Sequence, residues 1–254
     1  MPGFSGVGRV TLYTRTPAGL PAKGLFLGNC PNLTISHTPN AVERGESMTP
    51  TRGPYRRMTQ ATGASIELVT DEFNKKNFAQ AVLGRLDAVA AAASQTFTFP
   101  LSDAAAGDTL KLPHKNVSTV VITDSTGTPK TLDDDQYELD AFDGSIRLLD
   151  ITTGGPYVQP FHAAYARGAV DVVTALAEPE RELWLGFSGI NVDDGEPVAL
   201  DVYRVRFSVA AAMQYINNEY VDYTLPGAVL LDSTKEADAV GGQYYKVSLP
   251  PTAA

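Results

Sequence analysis

Residues able to do chemistry are present in this chain, but not at spacings that would make them act together. His37, His114 and His162 lie far apart, and none has a second ligand type at the i+2 to i+4 spacing that brings two donors to one metal. The run Asp133-Asp134-Asp135 offers oxygen ligands. A calcium loop of the EF-hand kind needs glycine at its sixth position, where this chain has Glu138. Gly186-Phe187-Ser188-Gly189 approaches the turn that presents a hydrolase serine, but its second glycine comes one place early and no helical pattern follows. No glycine loop with Lys and Ser or Thr is available to cradle phosphate. Cys30 is the single cysteine, so it has no intrachain disulfide partner. Carboxylates are plentiful, yet no spacing singles out a working pair. No cofactor or metal is therefore expected, and the chain does not read as an enzyme.

One stretch is chemically distinct. Residues 37–62, HTPNAVERGESMTPTRGPYRRMTQAT, hold prolines at 39, 50 and 54 and show no apolar period. Arg44, Arg52, Arg56 and Arg57 make it cationic, and Tyr55 and Met58 add apolar surface. So long a connection without its own structure is unusual in a compact domain. Three roles fit it: an arm on nucleic acid, a plain flexible loop, or an arm docking on a neighbouring subunit. Nucleic-acid binding needs cationic side chains in bulk, and the whole chain has a formal charge of −9. That charge is uneven, +5 over residues 1–86 and −14 over 87–254. A self-assembling protein can use such a split, basic surface meeting acidic surface on the next copy.

The elements that would position these residues read as β. At 254 residues the chain can bury a sizeable core, and its Tyr, Phe, Gly and Pro usage leans towards strands and turns. Residues 6–14 alternate, with Val10 and Leu12 on one side. Residues 24–36 give one or two short strands broken at Asn29-Cys30-Pro31. Residues 64–70 form a strand with Ile66 and Leu68 on one face. Phe78, Val82, Leu86 and Val89 then recur at helical spacing, which predicts a helix over 71–92 with its cap at Thr70 or Asp71. From residue 95 to 167 short alternating strands follow one another, among them Val117 to Thr123 and a hairpin around Asp143-Gly144. These predict a small β-sandwich of its own.

The last third opens with a strand bearing Leu183, Leu185 and Phe187 on one face, then a turn from Gly189 to Pro197. A long strand from Val198 to Val209 follows. There Val198, Leu200 and Val202 point one way and Tyr203, Val205 and Phe207 the other, which predicts a bend or a change of packed face. A closing strand runs from Gly241 to Leu249. No run of eighteen apolar residues is present, and MPGFSGVGRVTLYTRT shows no charged-then-apolar leader, so neither a membrane span nor a secretory signal is expected.

The order FSGIN, DDG, YRVRF and EYVDYTLPGAVLLD, with Gly227 leading a closing strand and Asp232 ending it, resembles the C-terminal half of tail tube proteins of long-tailed bacteriophages. The resemblance implies a mainly β fold: a two-sheet β-sandwich or barrel with one flanking helix, formed by residues 1–94 and 168–254. A small inserted all-β, Ig-like domain would occupy 95–167 on the tube exterior. It implies a structural virion protein that assembles as hexameric rings stacked head to tail, alongside tape measure and tail terminator or initiator proteins. Double-stranded DNA would pass through the lumen without specific binding. Six copies at −9 give on the order of fifty negative charges per ring, which would repel phosphate. It also favours the docking role for the 37–62 arm, with Arg44, Arg52, Tyr55, Arg56, Arg57 and Met58 as inter-ring contacts. The competing expectation is a β-sandwich binding module of a tail tip or capsid decoration that recognises a receptor or glycan.

Overall fold

The computed structural model describes residues 3–236, 240 and 242–251, with the backbone alone at 59–62. In chain order the elements are β1 (Gly6–Arg15), β2 (Pro21–Phe26), β3 (Asn32–Gly45), β4 (Pro54–Thr70), α1 (Lys75–Ala81), β5 (Arg85–Val89), β6 (Ala92–Thr98), β7 (Thr109–Lys111) and β8 (Val117–Thr123). There follow β9 (Tyr137–Asp140), β10 (Ser145–Leu148), β11 (His162–Arg167), β12 (Val170–Thr174), β13 (Glu182–Asn191), β14 (Pro197–Phe207), β15 (Tyr223–Val229) and β16 (Tyr245–Ser248). The protein is mainly β, with antiparallel sheets and one helix among the described residues. Two compact units divide it, Met1–Arg85 with Val173–Ala254, and Leu86–Val172.

The first unit is one sheet in the order β2-β1-β13-β14-β15-β4-β3, with β16 beside the first half of β14. Alternation explains its inner face: Val10 and Leu12, Ile66 and Leu68, Leu183 and Leu185, and Tyr223 and Leu225 all reach one core. The two edge strands, β2 and β3, are joined by residues 27–31 alone. Such a link reaches about 20 Å, whereas the edges of a flat seven-strand sheet lie about 29 Å apart, so the sheet curls. Asn77 and Thr70 pin the link: the Asn77 amide donates to the Leu27 carbonyl at 2.7 Å and the Thr70 hydroxyl to that of Asn29 at 3.0 Å.

Three expectations need narrowing or correction here, the first decided for a local irregularity of the strand over a change of packed face. Strand β14 does not leave its packed face. Its pairing with β13 shifts between Leu183 and Leu185, a β-bulge that absorbs one residue, so Val202 and Val205 both enter the same core. Tyr203 sits at the slip and packs on Trp184 from the other side, ring centroids 5.0 Å apart.

The helix is Lys75–Ala81, not 71–92. Its cap is Asn74, whose Oδ1 accepts from the Lys76 and Asn77 amides at 3.0 Å each. Leu83 turns left-handed at φ +47°, and the Gly84 amide bonds back to the Ala79 carbonyl at 2.7 Å, ending the helix. Leu86 then belongs to β5, which pairs with β12. Alanine-rich sequence favours helix only weakly, and this strand pairing overrides it.

The third correction concerns residues 37–62, which are not irregular. They continue β3 and β4 as a paired ribbon closed by the turn 46–53. The side chains of residues 59–62 lie outside the described set, as does Gly241 of the expected closing strand, which begins instead at Tyr245.

The second unit has a core of its own, including Phe99, Ile122, Ile146, Leu148 and Phe161. Around it lie two three-stranded antiparallel sheets, β6-β11-β8 and β7-β10-β9. Its ends fall at 86 and 172, outside the expected 95 and 167, because β5 and β12 extend it as a ribbon at the boundary. Of the formal charge of −9, this unit holds −7 and the first unit only −2.

Candidate functional site

The β3–β4 hairpin buries its base and exposes its length. Ile35 and Ile66 pack with the core, but from His37 outward the described residues of both strands are exposed, apart from the half-buried Ala41 and Ala64. Pro39 stands on an edge strand and Pro54 is the first residue of β4, the two places where a missing amide hydrogen costs little. At the tip the Glu46 amide bonds to the Gly53 carbonyl at 2.8 Å, and Arg52 adopts φ +44°, which is uncommon for a residue with a side chain.

The register decides which side chains meet. Val42 stands opposite Met58 and Arg44 opposite Arg56, so these four share one face. Glu43 stands opposite Arg57, their side chains 3.5 Å apart, and Tyr55 shares that second face. Arg52 lies in the turn. The six residues anticipated as a contact arm therefore divide: Arg44, Arg56 and Met58 on one side, Tyr55 and Arg57 on the other, Arg52 at the tip. Two further apolar side chains, Val42 and Met48, are 50% and 76% exposed. They escaped notice because nothing around them alternates.

Like charges directly opposite one another destabilise a strand pair. Arg44 and Arg56 are so placed, and neither has a carboxylate partner among the described residues. The guanidinium of Arg56 instead lies 5.5 Å from the centre of the Tyr55 ring. A two-stranded ribbon exposed on both faces is marginal by itself in water. What it presents on its exposed faces is cationic and apolar side chains together.

Residues 3–248 match the model of the family described as "Protein of unknown function UCP028589". The chain belongs to this family. The matched span includes the residues of the hairpin and of the 86–172 unit. No curated protein matches it.

A second cluster of charge in this family member is closed on itself. Glu182 accepts from Arg204 at 2.6 and 2.9 Å and from Arg206 at 3.1 Å. Asp232, nearly fully buried, pairs with Arg15 at 2.7 Å and accepts from the Thr234 hydroxyl at 2.7 Å. Arg204 holds the Glu182 carboxyl below the usual range. For Asp232 burial pushes upward, but Thr234 and Arg15 outweigh it, so the carboxyl is also lowered. Neither acid can hold a proton to give at neutral pH. The chain approaches so closely that a Cβ at Gly19, φ +70°, would lie 2.1 Å from the Thr234 hydroxyl. This recess is an ionic staple.

The remaining reactive residues are also engaged. His37 bonds Tyr245 at 2.8 Å and His114 bonds Tyr165 at 2.6 Å. His162 lies between Ser125 at 2.9 Å and Thr98 at 2.8 Å, while the Ser125 hydroxyl donates to the Pro160 carbonyl at 2.6 Å. Burial pushes the Cys30 thiol up, away from its nucleophilic form. Among the described residues no three His, Cys, Asp or Glu side chains gather to hold a metal, and no helix is long and apolar enough to cross a membrane.

Proposed function

We propose that this chain is a non-enzymatic building block of a phage tail tube, stacking as hexameric rings around a channel for DNA in the virion. The observation that carries the reading is the hairpin: a projecting ribbon with opposed arginines, which have no carboxylate partner among the described residues, and with exposed apolar side chains has its stability to gain from a neighbour. The curled sheet supports it too, since a sandwich or barrel that leaves β2 and β3 as edges offers strands for pairing around a ring. Hexamer number, the tape measure, terminator and initiator partners and the Ig-like character of the 86–172 unit rest on the resemblance of the C-terminal third to tail tube proteins. The expected lumen electrostatics weaken, because most of the net charge belongs to the 86–172 unit. A non-sticking lumen must come from local placement of acidic residues.

Negative-stain micrographs of concentrated protein, with and without tail initiator, test the reading. Hollow filaments with a regular axial repeat are expected. Discrete particles in every condition would overturn it and favour the receptor- or glycan-binding module of a tail tip or capsid decoration.

A further inference from the structure

The first unit carries a second exposed surface, aromatic and acidic in character. Between β14 and β15 the chain runs irregularly through residues 208–222, a segment with no Lys or Arg. It is pinned at its start, where Ala210 donates to the Ala81 carbonyl at 2.8 Å. Beyond Met213 it turns outward: Tyr215 is 75% exposed, and Ile216 and Tyr220 are almost wholly exposed. Phe78 joins Tyr215 to the exposed Phe73, with ring centroids 6.5 and 5.4 Å apart. Glu219 and Asp222 are exposed within the same segment. The lysines of α1, Lys75 and Lys76, line a recess with Phe26 and Asn74. Exposed aromatic and apolar side chains and two carboxylates thus stand together on one segment that meets α1 through Tyr215, and exposed apolar clusters mark contact sites.

We infer that this aromatic and acidic patch receives the β3–β4 hairpin of a second copy of the chain. The two surfaces complement each other in both respects: Val42, Met48 and Met58 with Arg44 and Arg56 on the hairpin, aromatic rings with Glu219 and Asp222 on the patch. Topology excludes a contact within one molecule. Tyr223, which follows the patch segment, pairs with Thr70 at one end of β4, and the hairpin tip begins at Pro54 at the other. At about 3.3 Å per residue these ends lie about 50 Å apart. Hairpin and patch are different surfaces, so the contact is head-to-tail, and where its rotation does not close a ring it leaves a free hairpin and a free patch at every step. The inference rests on the self-assembly reading and names the surface that reading leaves open.

The test uses the full chain with Met48 replaced by photo-reactive p-benzoylphenylalanine, polymerised, irradiated and mapped by mass spectrometry. Cross-links to residues 71–78 or 208–222 of another copy are expected. In parallel, Glu219→Arg with Asp222→Arg should abolish pelletable polymer, as should Arg44→Glu with Arg56→Glu, and mixing the two variants should restore it. Circular dichroism of each soluble variant should match the parent. Polymers that cross-link elsewhere, or that survive the patch reversal, overturn the acceptor site while leaving the assembly reading standing. A parent chain that stays monomeric in every condition overturns both.

Discussion

At the scale of single residues, the strongest dependence is on Asp232 and Arg15. Their side chains are 2% and 11% exposed. Removing one partner of a buried pair leaves a stranded charge. Asp232→Ala should therefore cost about 3–5 kcal/mol in urea unfolding, and Arg15→Met with Asp232→Leu should recover much of it. Sequence marked Asp232 as the end of a strand but gave no sign of its partner, because an ion pair between distant residues follows no period. Asp124 was equally invisible. It is buried, and its carboxylate gathers the Lys130 and Val158 amides at 2.7 and 3.1 Å and the Thr126 hydroxyl at 2.8 Å. Burial would raise its pKa, but these donors win and lower it from 3.8 to about 2. The native state thus prefers the ionised form, so the contribution is complete above pH 3.8 and disappears as pH falls through about 2. The stability gap between the parent and Asp124→Asn should be flat above that window and close within it.

At the scale of elements, hydrophobic alternation is the signature of burial and not of the strand itself. Val10 with Leu12 and Ile66 with Leu68 were legible for that reason. The outer hairpin was not, since it buries neither face and has nothing to alternate. The helix failed in the opposite way: Phe78, Val82, Leu86 and Val89 keep helical spacing across a left-handed turn at Leu83 that spacing cannot register. Within β15, Gly227 is legible as glycine but not for its reason. A Cβ there would lie 2.8 Å from the Arg206 carbonyl oxygen and 3.0 Å from both Ile66 and Phe207. Gly227→Ala should destabilise the protein by about 1–3 kcal/mol, read from the urea midpoint at unchanged slope.

At the scale of the molecule, the two cores share no residue. Calorimetry should resolve two cooperative transitions, and Ile146→Ala should lower only the one belonging to the 86–172 unit. The broad division was legible from the change of texture near residue 95. The ribbon at the boundary was not, because its two strands are brought together only by the return of the chain.

β1 pairs early with β2, but its other edge sets Val10 against Phe187 of β13, so the opening strand is enclosed only after most of the polypeptide exists. On the ribosome the middle of this chain can mature while its beginning waits, and the waiting loop shortens once residues 86 and 172 are held together. Pulse-labelled hydrogen exchange during refolding should protect Ile122 and Ile146 before Val10. A protein arranged in this way stays unfinished until its final strands have been made.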